Sequence, residues 1–207
     1  DTTFVDPDDI GAFAAAIQPN TKALYAETLG NPLINVLDIE AVADVARDAG
    51  IPLVIDNTFP TPYLCRPMAF GADIVVHSAT KFMGGHGTTM GGVLVESGRF
   101  PWDNGKFPMM TEPSDGYHGV KFYETFGDFG FTMKARVETL RTLGPALSPF
   151  NGFMLLQGLE TLPLRMERHC DNALAVARFL NEHPQVEWVR YPSLPGDQYY
   201  ERARKYV

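Results

Sequence analysis

"PLVIDNTFPTPYLCRPMAFGADIVVHSATK", residues 52–81, decides the fold. It holds two short apolar runs, "PLVID" and "ADIVV", and each ends in a polar cluster, "DNTFPTP" (56–62) and "HSATK" (77–81). Runs that are apolar throughout, rather than alternating, belong to strands buried on both faces, the habit of parallel sheets. In such sheets ligands sit beyond the carboxyl ends of the strands. Both polar clusters fall at such ends.

Outward from this stretch the pattern repeats. "KALYAET" (22–28) is an earlier strand that runs into a third polar cluster, "ETLGNP" (27–32), and "GGVLVES" (91–97) is a later strand. "LDIEAVADVARDAG" (37–50) predicts a helix capped by Asp38 and stopped by Gly50. "DPDDIGAFAAAI" (6–17) predicts another, with Asp6 as cap and Pro7 at the first helical position; Ile10, Phe13, Ala14 and Ile17 then share a face. Strands that alternate with amphipathic helices give an α/β fold with a mostly parallel sheet. "RFPWDNGKFPMMTEPSDGYHG" (99–119) is a long loop rich in Gly, Pro and aromatics, and such loops are often functional or mobile. After Pro149 the chain turns helical, with Cys170, Ala173, Leu174, Ala177 and Leu180 in a 3.6-residue period. "VEWVRYP" (186–192) alternates like a strand that opens a new unit. The expected division is therefore 1–148, 149–185 with connecting helices, and 186–207.

The chain has 207 residues, 45% hydrophobic and 20% charged, enough to bury a sizeable core and too apolar for wholesale disorder. Its formal net charge of −8, without a basic run interleaved with aromatics, argues against nucleic acid as a partner. Cys65 and Cys170 lie far apart and form no CxxC pair, which fits a reducing cytoplasm. No stretch is long and apolar enough for a bilayer, and "DTTFVDPDD" lacks the features of a signal peptide. The start also lacks Met, so the chain is expected to be a piece of a longer one.

Lys81 follows a buried strand directly, inside "HSATKFMGGHGTTMGG" (77–92). It is either a solvated loop lysine or a desolvated one, and a desolvated lysine is a usable nucleophile toward carbonyl groups. Ser78 and Thr80 either satisfy the local backbone or, with backbone amides, hold a phosphate. The glycines at 84, 85, 87, 91 and 92 either make turns or let backbone approach a ligand; no GxxxxGK[ST] occurs, so this is not a nucleotide loop. Asp56 closes the most apolar strand, where a carboxylate is expensive unless paired. It caps the next turn or meets a protonated ring nitrogen, with Thr58 two residues on. Asn31 in "GNP" is a turn residue or a hydrogen-bonding partner of a ligand oxygen. His77 and His86 have no Cys/His partners nearby, so no metal is expected, and there is no G-x-S-x-G elbow.

With these residues in view, "DIVVHSATKFMGGHG" (73–87) resembles the cofactor-attachment signature of the Cys/Met metabolism pyridoxal-phosphate enzymes. "ETLGNP" is similar to that family's Glu-Ser/Thr-x-x-Asn-Pro element and "VIDNTFPTPYLCRP" (54–67) to its Asp-Asn-Thr segment. "WDNGKFPMMTEPSDGYHG" and "LGPALSPFNGFMLLQGLETLPLRMERH" resemble the O-acetylhomoserine sulfhydrylase branch most. The resemblance implies the aspartate aminotransferase-like transferase fold (fold type I), with 1–148 in its large domain and 186–207 opening a small C-terminal domain. It implies a Schiff base on Lys81, Asp56 at the pyridine nitrogen, Ser78 and Thr80 on the phosphate, and Thr58 and Asn31 near the ring. It implies γ-replacement on O-acetylhomoserine by sulfide or methanethiol, giving homocysteine or methionine plus acetate. The alternatives are a cystathionine γ-synthase or methionine γ-lyase activity and, outside enzymes, a catalytically silent fragment. The family's ring-stacking tyrosine, its glycine-bearing phosphate loop and its partner-subunit Tyr/Arg pair would precede residue 1, and the substrate-carboxylate arginine would follow residue 207. The chain is thus expected to be the central part of a homodimeric or homotetrameric enzyme, inactive alone.

Overall fold

Strands β1 (Leu24–Glu27), β2 (Leu53–Asp56), β3 (Ile74–Ser78) and β4 (Gly92–Glu96) form one sheet in that order in the computed structural model, which describes residues 1–207. β1, β2 and β3 run parallel, with Glu27 beside Asp56 and Asp56 beside Val76, so the polar strand ends line one rim. β4 is antiparallel, Ser78 facing Gly92. An apolar run carries no direction. The connection from β3 to β4 contains no crossover helix of the kind a parallel neighbour needs.

Because successive strand residues point to opposite faces, the register puts Leu24, Leu53, Ile55, Val75 and His77 together, and all are buried. Helix α2 (Ile39–Asp48) crosses between β1 and β2, and Ile39, Val42, Ala43 and Ala46 join those strands in the core. Asp38 caps it by accepting from Ala41 N, as its sequence predicts, and Gly50 ends it with φ +62°. The opposite sheet face, with Tyr25, Val54, Asp56 and Val76, is only partly covered, short of the burial on both faces that the apolar runs imply.

Helix α1 (Ile10–Ala16) starts later than expected. Asp6 accepts from Asp8 N inside a turn, and Asp9 is the cap, reaching Ala12 N at 3.1 Å. The region 99–119 is packed rather than a free loop. Phe100, Trp102, Phe107 and Met110 are buried, and Trp102 stacks on Phe131 at 5.2 Å. It contains the short helix α4 (Pro108–Thr111). α5 (Phe122–Phe126) follows, then α6 (Gly130–Lys134), a π-helical turn (Ala135–Leu140) and α7 (Arg141–Leu143).

Helix α8 (Pro149–Glu160), capped by Ser148, runs almost directly into α9 (Leu162–Asn181). Of the stripe expected on α9 only Ala177 is buried. Residues 186–192 form no strand, because no neighbouring segment offers a ladder. The chain continues into α10 (Tyr200–Tyr206), which packs on the main core through Tyr199, Ala203 and Tyr206. Tyr206 OH donates to Asp38 Oδ1 at 2.6 Å, and Arg202 pairs with Asp8 at 2.6 Å.

Between β2 and α3 (Thr61–Leu64) lies Asn57, fully buried. Its Oδ1 accepts from Thr28 Oγ1 (2.8 Å), and its Nδ2 donates to Thr61 O (3.0 Å) and Cys65 O (2.8 Å). Thr61, with φ +63° unusual for a β-branched residue, is held by that bond. Asn57→Ala strands the Thr28 hydroxyl and the Cys65 carbonyl away from water, while Thr61 O keeps its bond from Cys65 N, and is expected to cost about 2–4 kcal/mol. Urea unfolding measures it; a loss below about 0.5 kcal/mol would mean that water replaces the amide.

Candidate active site

The rim is stitched by side chains of its own polar clusters. Asp56 Oδ1 accepts from Thr58 N at 2.8 Å, and Thr58 Oγ1 accepts from Ser78 N at 2.7 Å. Asp56 is therefore a turn cap. Its other oxygen, Oδ2, accepts from Tyr25 OH at 3.3 Å. Partial burial and the Asp56 charge push the Tyr25 phenol up to about 12, so it stays a donor. His77 points to the other face, where burial lowers its pKa against the Asn57 backbone and the Asp56 charge.

Past β3 the chain makes a tight turn: Lys81 N donates to Ser78 O (3.2 Å), Gly84 N to Ala79 O (2.8 Å) and Gly85 N to Lys81 O (2.8 Å). Lys81 is exposed, the solvated one of the two readings its sequence allows. Thr80 Oγ1 donates to Gly91 O (3.3 Å) and accepts from Gly91 N (3.1 Å), so its hydroxyl serves the local backbone here. The motif's glycines also have a packing reason. A Cβ on Gly91 would lie 2.8 Å from Leu155 Cδ1, and one on Gly158 would lie 2.3 Å from Gly84 O. Helix α8 needs that room to lie on the lysine turn, where Ala79, Met83 and Leu155 form a small core of their own.

Asn31 sits past β1, one strand over from Asp56. It is exposed, its peptide to Pro32 is cis, and its backbone N donates to Glu27 Oε2 at 3.0 Å. The structure thus joins Asp56, Thr58 and Ser78 by hydrogen bonds, sets Lys81 one turn beyond, and leaves Asn31 and Thr80 at the margin. Sequence reasoning missed Tyr25 and Glu27. Alternation in "LYAE" puts both on the Asp56 face once the strands are known to be in register. It also missed Arg165 of α9, whose Nη1 donates to Phe82 O at 2.7 Å; no local signal marks it.

A primary amine, a carboxylate and strand-end hydroxyls on one rim suit a ligand that offers a carbonyl, a protonatable nitrogen and an anionic group. That donor chemistry fits pyridoxal phosphate. No group of three or more His, Cys, Asp or Glu side chains could hold a metal ion.

Comparison with known proteins points to the same cofactor. The pattern of the family described as "Cys/Met metabolism PLP-dependent enzyme" matches residues 1–207. An O-acetyl-L-homoserine sulfhydrylase of Leptospira meyeri is 57% identical over 98% of this chain and 48% of that protein. A homocysteine synthase of Schizosaccharomyces pombe is 53% identical over 100% of this chain and 49% of that protein. An O-acetylhomoserine (thiol)-lyase of Campylobacter jejuni, solved with N'-pyridoxyl-lysine-5'-monophosphate, superposes with a TM-score of 0.93 at 38% identity, over 98% of this chain and 50% of that one. The chain spans about half the length of the curated relatives it matches. In sequence pattern and in fold, the chain belongs to the Cys/Met metabolism PLP-dependent enzyme family.

Proposed function

We infer that the full-length protein uses pyridoxal phosphate to replace the acetate of O-acetylhomoserine with sulfide or methanethiol, giving homocysteine or methionine. The carrying observation is the amine of Lys81 one turn past Ser78, with the Asp56 carboxylate at the neighbouring strand end. The names of the similar proteins support this branch over cystathionine synthesis or a lyase reaction.

When bound, pyridoxal phosphate supplies an aldehyde for amines and a protonated ring that accepts electron density from Cα of an amino acid. Lys81 Nζ is the group that holds the aldehyde. With the cofactor bound, the free Lys81 amine would take the proton from the substrate's Cα and move a proton at Cβ. Asp56 keeps the ring nitrogen protonated, and Tyr25 and Thr58 N hold its carboxylate in place. Ser78 and Thr80 would offer their hydroxyls to the phosphate, which for Thr80 would compete with its bonds to Gly91. Thr58 and Asn31 stand beside the ring. Acetate leaves from Cγ, and the sulfur of the thiol takes its place.

In the same reading 1–148 is the central part of the large domain, 149–185 connects, and 186–207 starts a C-terminal domain; relatives about twice as long support this. Exposed apolar side chains on α8 and α9, among them Phe150, Phe153, Leu156 and Phe179, support a homodimer or homotetramer. Two unpaired cysteines support a cytoplasmic site, and burial pushes the Cys65 thiol up to about 12, leaving it inert. No helix is long and apolar enough to cross a membrane.

Lys81→Ala in the full-length protein should abolish both turnover and the visible absorbance of lysine-bound cofactor. The assay is product analysis with O-acetylhomoserine and sulfide, cysteine or no thiol, beside a spectrum. Near-normal turnover would sink the assignment, and ammonia release without thiol would move it to a lyase.

Asp56→Ala removes an interaction that grows as charge reaches the ring, so kcat should fall by roughly 10³-fold while the folded protein persists. A loss of only a few-fold would leave Asp56 as a turn cap and nothing more.

A further inference from the structure

Helix α9 touches both rim loops. Arg165 Nη1 donates to Phe82 O (2.7 Å), Nη2 to Gly158 O (2.6 Å) and Nε to Thr161 Oγ1 (3.1 Å). Phe82 is the residue after Lys81. Two residues along α9, Glu167 Oε1 accepts from Tyr63 OH at 2.5 Å, and Tyr63 belongs to the segment that follows Asp56. One helical turn on, His169 lies against the Phe82 ring at 5.4 Å, and Phe59 meets the same ring edge-on at 5.7 Å. A Cβ on Gly85 would stand 2.6 Å from the Arg165 guanidinium carbon, so the turn is closed over that group.

Lys81 is exposed on a flexible stem and makes no side-chain hydrogen bond, so the backbone of its turn is the one part of it that the fold holds. We propose that Arg165 is a positioning residue for Lys81: its guanidinium pins the Phe82–Met83 peptide, one residue beyond Lys81, to the α8–α9 junction, while the same helix holds the loop after Asp56. The proposal rests on the role given to Lys81 above. Arginine suits the task because a planar fork reaches acceptors on separate segments at once, whereas an ammonium is a compact point donor. A reacting group displaced by about 1 Å loses on the order of 10²-fold in rate.

The test uses the full-length protein and Arg165→Lys, with Arg165→Gln as a second variant. Apo-protein is mixed with pyridoxal phosphate and sampled into borohydride, and the fraction of Lys81 carrying the reduced pyridoxyl group is followed by mass spectrometry. kcat and KM with O-acetylhomoserine and sulfide are measured alongside, with thermal unfolding as the control for folding. Arg165→Lys is expected to stay folded, to label Lys81 about 10-fold more slowly, and to lose about 10–100-fold in kcat with KM within about threefold. Labelling at the wild-type rate overturns the proposal. So does failure of both variants to fold, which would make Arg165 a residue of general packing. No labelling of Lys81 in the wild type would instead overturn the reading of Lys81 itself.

Discussion

A primary amide without access to water orders this site. Asn57 must find partners for its oxygen and both its hydrogens inside the protein, since an unpaired buried polar group is costly. It finds them on Thr28, beyond β1, and on the carbonyls of Thr61 and Cys65, so three segments meet at one side chain. The chain on either side of it is then fixed. Asp56 and Thr58 flank Asn57, and Thr58 carries the constraint to Ser78 and thus to the lysine turn. The candidate catalytic groups are held by neighbours that have no chemical task of their own.

The second hold comes from the helices. α8 lies on the lysine turn at van der Waals distance because Gly84, Gly91 and Gly158 have no side chains. The glycines of "KFMGGHGTTMGG" read as room for a ligand or as turns. Gly85 and Gly87, at φ +75° and +65°, do make turns, but Gly84 and Gly91 leave room for a helix some 70 residues away, as the 2.3 Å between a Gly158 Cβ and Gly84 O makes plain. Such a reason is invisible before the tertiary contact is known.

What was legible follows from the range of the forces. The apolar runs of β1 to β3, the polar rim at their ends and the α2 cap at Asp38 depend on neighbours a few residues off, and the residues state them. The direction of β4 depends on its connection, and "GGVLVES" is silent about it. Asp6 and Asp9 both satisfy the rule for a cap, and the folded chain uses Asp9 for the helix and Asp6 for the turn before it. "VEWVRYP" alternates correctly but has no strand beside it, and alternation without a partner is only a pattern. "RFPWDNGKF" is composed like a loop, yet Phe100, Trp102 and Phe107 are buried members of the main core. Composition cannot tell a mobile aromatic loop from one that has found a cavity to fill. The motif leaves Lys81 open between solvated and desolvated because desolvation is a property of surroundings and not of a motif.

Asp8 binds Arg202 across 194 residues of sequence and Tyr199 across 191, the longest-range bonds in the chain. On the ribosome, at about 5–20 residues per second, Asp8 waits on the order of 10–40 s for its partners. The parallel strands, Asn57 and the lysine turn have all been synthesised by then. The nascent sheet must therefore persist with the α2 surface that α10 later covers still open to solvent, a window in which a chaperone has something to hold.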